Sequence, residues 1–312
     1  MMDQEYAIEI DNLSKVFSGQ TAVDDISLKV KKGEVFGLLG PNGAGKTTTL
    51  RMITTLLKPT SGSIKIFGYD TQKNDKLVRS MFGLTGQYAS VDEDISAREN
   101  LMIFSRLNGL SRSAAKKRTD ELLAEFALQA SADKAISNFS GGMRRRLDLA
   151  VSLISRPTLI FLDEPTTGLD PRTRTQMWDT IRSLVQQGST IVLTTQYLEE
   201  ADELADRIAV IDHGKLVSIG APAELKAQVG GAKLRLELLN DADAQKATSL
   251  LDDFLKSKVQ TKKQILTAPL DDTKQVTGIL NRLEEAAIDI VNLSVEQPSM
   301  DDVFFALTTG KN

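Results

Sequence analysis

Gly40-Pro41-Asn42-Gly43-Ala44-Gly45-Lys46-Thr47 fits G-x-x-x-x-G-K-[ST], the pattern of a loop that cradles phosphate. Its glycines let the backbone curl until several N–H groups converge on one oxyanion. Lys46 is then placed to meet the outer phosphates, and the Thr47 hydroxyl to help hold Mg2+. The flanks agree. Glu34 to Leu39 reads as a buried strand, and Thr47 to Leu57 as a helix ended by Lys58-Pro59. A strand, loop and helix in that order present the positive end of the helix to the phosphates.

Composition sets the frame for this motif. The chain has 312 residues, enough for one large domain and a smaller one, with 41% apolar and 26% charged residues, as expected of a soluble globular protein. A formal net charge of -4 gives no overall basic footprint for nucleic acid. The absence of cysteine excludes disulfides, thiol catalysis and cysteine-ligated metals. The single histidine, His213, leaves no basis for a Ser-His triad or a multi-histidine zinc site, and reads as an exposed turn residue. No run of about 18 apolar residues exists to span a bilayer as a helix. The acidic start, Met1 to Tyr6, lacks the apolar core of a secretory signal. The expectation is an intracellular chain whose membrane part, if it has one, is another polypeptide.

Residues from about Tyr6 to Gln228 read as one α/β domain. Ile8–Ile10, Ile26–Val30 and Ser63–Phe67 alternate apolar and polar, as half-buried strands do. Thr158–Leu162 and Thr190–Thr194 are continuous apolar runs that suit strands covered on both faces. A charged helical stretch runs from about Ala97 to Ala130. Gly230-Gly231 marks a linker, which gives domains of 1–229 and 230–312. In the second, Leu234, Leu236 and Leu238 predict a strand. Ala247, Leu250, Leu251 and Phe254 predict one helix, Val276, Ile279, Leu280 and Leu283 another, and Val291, Leu293 and Val295 a further strand. This tail carries no chemical motif and reads as a docking, dimer-supporting or packing α+β domain.

Two further motifs join the loop. Leu159–Leu162 runs into Asp163-Glu164-Pro165. A carboxylate ending a buried strand beside a phosphate loop is the expected partner for Mg2+, which assigns Asp163. Glu164 is then free to orient or deprotonate the attacking water. In Asn138-Phe139-Ser140-Gly141-Gly142-Met143-Arg144, Ser140 is a good N-cap for the helix that follows. Its bare helix start is a second anion-seeking surface. One triphosphate in one subunit seldom needs both termini. Two subunits arranged head to tail would set each nucleotide between one chain's phosphate loop and its partner's Ser140, Gly141 and Gly142.

With these motifs the chain resembles the ATP-binding subunits of ABC transporters over about residues 6–228. The resemblance implies a P-loop NTPase ABC cassette, an α/β fold with a mixed sheet core, an antiparallel β subdomain and a helical subdomain, followed here by the small C-terminal α+β domain. It implies ATP and Mg2+ as ligands, with residues 40–47 and Thr48 around the phosphates. Phe17 falls where the family's adenine-stacking aromatic stands. Gln87 matches the glutamine that touches Mg2+ and the membrane subunit, and Gly168-Leu169-Asp170 the loop that links two subunits. Phe139 and Met143 depart from the usual leucine and glutamine of the Ser-Gly-Gly motif. Gln196 stands where the family has its switch histidine. Glutamine donates and accepts hydrogen bonds but does not titrate near neutral pH, which leaves Glu164, helped by Lys46 and Gln196, as the expected base.

The segment Thr194–Glu200 and the tail Gln297–Thr308 resemble the daunorubicin/doxorubicin-resistance branch of bacterial exporters. The resemblance implies a second copy of the chain, an integral membrane permease, and a place on the cytoplasmic face of the membrane; no nucleic acid partner is expected. Tyr88 and Leu101–Phe104 are docking candidates, with a core reading open for the apolar residues. The rival is a soluble ABC ATPase acting on ribosomes or nucleic acid. Against it, only about 90 residues separate the phosphate loop from Ser140, too few for long coiled arms at ~1.5 Å per residue, and there is one cassette where ribosome-acting members usually carry two.

Overall fold

A computed structural model of the chain describes residues 5–86, 91–255, 259–270, 272 and 274–309. It separates into two compact units, 1–222 and 223–312. The division falls within a short helix, ahead of the Gly230-Gly231 pair.

In the first unit, strands β1 (Tyr6–Phe17) and β2 (Gln20–Lys31) form a long antiparallel hairpin. β3 (Val35–Leu39) runs into the phosphate loop and helix α1 (Lys46–Ile53). β4 (Ser61–Ile66) and β5 (Tyr69–Asp70) follow, then α2 (Asp75–Arg79) and β6 (Phe82–Thr85). Helices α3 (Ala97–Leu107), α4 (Arg112–Glu125) and α5 (Gly141–Ser152) lead to β7 (Leu159–Asp163) and α6 (Pro171–Gln186). β8 (Thr190–Thr195), α7 (Leu198–Leu204), β9 (Arg207–Asp212) and β10 (Lys215–Gly220) close the series, and α8 (Pro222–Ala227) is the helix in which the division falls.

Two sheets result. One is antiparallel, in the order β2-β1-β4-β5; the other is mixed, in the order β10-β9-β3-β8-β7-β6, and antiparallel only between β9 and β10. The apolar runs of β7 and β8 have a physical reason. Ile160 and Leu162 of β7, with Ile191 and Leu193 of β8, join the core built from α3 to α6. Leu159, Phe161 and Val192 point the other way, into a core shared with α1 and the antiparallel sheet. A strand covered on both faces fills its middle with apolar side chains and keeps polar ones, here Thr190, Asp163, Thr194 and Thr195, for its ends. Every parallel strand delivers its carboxyl end to one edge, where the site forms.

Several expectations are revised. Helix α1 stops at Ile53 instead of Leu57. The Thr54 hydroxyl bonds back to Leu50 O at 2.9 Å, and Thr55 turns left-handed with φ 62, so a β-branched cluster ends the helix before Pro59 can. The helical stretch from Ala97 is two helices. Gly109, with φ 85, breaks it, and Ser111 caps α4. Phe67 lies beyond β4 in a turn, with φ 46. Leu101 is fully buried, so the docking reading fails for it and the core reading holds; Phe104 is half-buried against the same core, and Ile103 and Leu107 of α3 are exposed. Tyr88 lies outside the described residues. His213 is 94% exposed in a turn.

The second unit has its own core. β11 (Lys233–Leu238), β12 (Gln260–Lys262), β13 (Ile265–Pro269) and β14 (Ile290–Glu296) form an antiparallel sheet in the order β12-β13-β11-β14. Helices α9 (Asp241–Leu255), α10 (Gln275–Glu285) and α11 (Met300–Thr309) complete it. Among the described residues no helix is long and apolar enough to cross a membrane.

Candidate active site

The loop between β3 and α1 is closed by a residue that only glycine can supply. Gly45 holds φ 107, and a side-chain carbon there would lie 2.6 Å from Ala22 O. Around it, Pro41, Asn42 and Gly43 are exposed, Ala44 is buried, and Thr47 and Thr48 are half-buried. Lys46 opens α1 with its side chain 4% exposed. Its Nζ donates to Gly40 O at 2.8 Å and Pro41 O at 3.1 Å, and lies 4.0 Å from Glu164 Oε1. Burial pushes the Lys46 amine below the ordinary lysine value, against the pull of Glu164 and Asp163. An anion beside it favours the charged form, which is the condition a phosphate would supply.

At the ends of β7 and β8, Thr194 holds the Asp163 carboxylate and the Glu164 backbone. Its hydroxyl donates to Asp163 Oδ1 at 2.5 Å, and Thr47 Oγ1 reaches the same oxygen at 3.3 Å. The Glu164 N–H donates to Thr194 O and Thr194 Oγ1, both at 3.1 Å. These bonds hold Glu164 in a left-handed conformation, φ 48, which a non-glycine residue keeps only when its surroundings impose it. Its Oε2 accepts from Thr167 Oγ1 at 3.0 Å and from Gln196 Nε2 at 3.3 Å. Lys46, Thr47, Asp163, Glu164 and Gln196 are therefore brought together. Among the described residues no group of three or more acidic or histidine side chains forms a metal cage. The Thr47 hydroxyl and Asp163 carboxylate together fit Mg2+, which takes few protein ligands and shares phosphate oxygens.

The other expected residues lie further out. Phe17 ends β1 and is 45% exposed, and Lys15 Nζ is 5.0 Å from its ring centre. Ser140 caps α5 by accepting from Met143 N at 3.3 Å, and Ser140 and Gly141 are exposed. Among the described residues no hydrogen bond or ion pair joins Ser140, Gly141 or Gly142 to residues 40–47. Asp170 caps α6, accepting from Thr173 Oγ1 at 2.6 Å and Thr173 N at 3.0 Å; these bonds lower its carboxyl affinity for protons. Gln87 lies outside the described residues. Sequence reasoning missed Thr194, Thr167 and Arg145. Thr194 had one visible signal, a hydroxyl residue near the end of an apolar strand.

Residues 23–167 match the family described as ABC transporter, and residues 220–308 the family described as ATP-binding protein DrrA1-3-like, C-terminal domain. The chain is 47% identical to the daunorubicin/doxorubicin resistance ATP-binding protein DrrA of Streptomyces peucetius, over 97% of this chain and 92% of that one. It belongs to the ATP-binding subunits of ABC transporters. The doxorubicin resistance ATP-binding protein DrrA of Mycobacterium tuberculosis (strain CDC 1551 / Oshkosh) is 42% identical over 99% of this chain and 96% of that one. Among solved structures, a dimeric ATP-binding cassette in a post-hydrolysis state with ADP and Pi matches with TM-score 0.63 and 26% identity, covering 69% of this chain and 98% of that one. As an ABC subunit the chain is an ATPase, and the mixed sheet, antiparallel sheet and helices described above are its ABC cassette.

Proposed function

We propose that this ABC subunit powers efflux of hydrophobic drugs such as daunorubicin and doxorubicin through a separate membrane permease. It works at the cytoplasmic face as a head-to-tail pair that holds ATP between its copies. The observation that carries the catalytic reading is the Glu164 carboxylate, within reach of Lys46, Thr167 and Gln196 and one residue from Asp163. The likeness to drug-resistance subunits along nearly the whole chain supports the cargo.

Phe17 would stack on adenine, while backbone N–H groups of residues 42–43 and 45–48 and the Lys46 ammonium would receive the phosphates. Mg2+ held by Thr47, Asp163 and Gln87 would neutralise charge gathering on the phosphate oxygens. Glu164 accepts the proton of the attacking water, and the Gln196 amide keeps the carboxylate turned toward it. Ser140, Gly141 and Gly142 of a second copy complete the pocket and exclude solvent, and Asp170 lies in the loop expected at the seam. Hydrolysis removes a phosphate that both copies touch, so their affinity falls and the pair loosens.

Glu164→Gln tests the reading. It should keep ATP binding, lose about a hundredfold or more in turnover, and run as a dimer at saturating Mg-ATP. Unchanged hydrolysis, or a monomer under those conditions, overturns it. With the permease in vesicles, daunorubicin should raise ATP turnover; intact basal turnover with no response to the drug overturns the cargo alone.

A further inference from the structure

Arg145, on the second turn of α5, takes no part in the steps above. Its guanidinium makes four hydrogen bonds, all to backbone carbonyls. Nε donates to Pro165 O at 3.0 Å, Nη1 to Gly86 O at 2.6 Å, and Nη2 to Asp163 O at 2.8 Å and Glu164 O at 3.2 Å. Three acceptors are consecutive and enclose the Glu164 turn; the fourth lies just past β6, the parallel neighbour of β7. Its flanking arginines go elsewhere: Arg144 to Glu93 and Ser137 O, Arg146 to Phe126 O. Burial pushes the Arg145 guanidinium below the ordinary arginine value, opposed by Asp148, Asp163, Glu200 and Glu164. A planar fork of five donors suits this convergence as no other side chain does.

The Glu164 turn is thus fixed at both ends. Thr194 holds its N–H, and Arg145 holds the carbonyls on either side of its left-handed backbone. Arg145 also rides on the helix that starts at Ser140, roughly 8 Å along the axis at 1.5 Å per residue. We propose that Arg145 is a positioning residue that sets Glu164 for proton abstraction and couples the two ATP sites of a pair. When Ser140, Gly141 and Gly142 engage the partner's ATP, α5 carries that contact through Arg145 to the Glu164 of its own chain. This rests on the head-to-tail reading above. It adds a physical link between two sites that each chain serves from opposite edges.

The test compares Arg145→Gln and Arg145→Lys in the full chain, with turnover followed against ATP concentration. Because small misplacement of a catalytic group is costly, Arg145→Gln should lower kcat by about a hundredfold, with KM for ATP changed by about twofold or less. Arg145→Lys, keeping charge but not the fork, should recover part of kcat. The wild type should give a Hill coefficient above 1, and both variants a value close to 1. The melting midpoint and the fluorescence of the single tryptophan, Trp178, report folding; if Arg145→Gln fails to fold, Arg145→Lys decides. Wild-type kcat and Hill coefficient in the folded variants, a raised KM with kcat unchanged, or a wild-type Hill coefficient of 1 would overturn the proposal. If Glu164→Gln pairs on ATP while these results come back negative, only the Arg145 assignment falls. If Glu164→Gln stays monomeric, the head-to-tail reading falls first.

Discussion

Gln196 donates to Glu164 from 3.3 Å, and the role proposed for it, an aligned donor, needs no ionisation. Gln196→Glu keeps the shape but sets a carboxylate against a carboxylate, and two such groups share a proton instead of both ionising. Turnover at saturating ATP should fall at least about tenfold, more than for Gln196→Ala; wild-type turnover in Gln196→Glu would detach residue 196 from the base. Nearby, Glu200 is fully buried. Its Oε1 accepts from Thr166 Oγ1 at 2.7 Å and from Trp178 Nε1 at 3.3 Å. Burial raises its pKa, with Thr195, Thr166, Trp178 and Arg174 opposing. A carboxyl whose folded pKa lies above its unfolded value binds more protons when folded. Its contribution is full below the unfolded pKa and is lost as pH rises through the folded one. Glu200→Gln removes that loss. Its melting midpoint should gain on the wild type as pH rises above about 4.5, near an ordinary glutamate pKa; a gap that stays flat with pH would mean that the buried group ionises freely.

Between elements, α5 comes tightly against α6 at Gly142. A side-chain carbon on Gly142 would lie 2.2 Å from Thr173 Cγ2, the residue whose hydroxyl serves Asp170. Gly142→Ala should therefore cost about 1–3 kcal/mol through overpacking. Thr173→Ser deletes the clashing methyl and keeps the hydroxyl, so the double variant should melt close to the wild type; no recovery would place the cost in the helix start itself. This contact shows where sequence reading stops. Ser140-Gly141-Gly142 announces a capped helix near phosphate, yet nothing in the string says that Gly142 faces Thr173 or that Arg145, alone among three arginines, turns toward Glu164. β7 and β8 were legible because burial on both faces forces a continuous apolar run. The end of α1 was not, since a threonine side chain competing for backbone bonds outweighed the distant proline. The β12–β13 hairpin was missed because its turn uses Lys263, left-handed at φ 57, with no glycine or proline to mark it.

At the scale of the whole chain, every described residue assigned to ATP or to proton transfer falls in the unit of residues 1–222, whereas 223–312 form a unit with a separate core. The cassette was legible because each of its motifs must present a fixed chemistry to phosphate. Apart from the family likeness of Gln297–Thr308, the second unit was legible only as alternation and periodicity, since Leu234, Leu236 and Leu238 answer to packing. That difference has a thermodynamic consequence. A ligand that binds only the folded state of one unit stabilises that unit, by about 2.7 kcal/mol at a concentration a hundred times its Kd. Scanning calorimetry of Glu164→Gln should resolve two transitions, and Mg-ATP should raise the midpoint of one and leave the other where it was. Limited proteolysis before the scan would assign them, because the unmoved transition should survive in a fragment starting near Ala223. If Mg-ATP moves both transitions together, the two units unfold as one body, and the second unit shares in the energetics of nucleotide binding although it contributes none of the assigned groups.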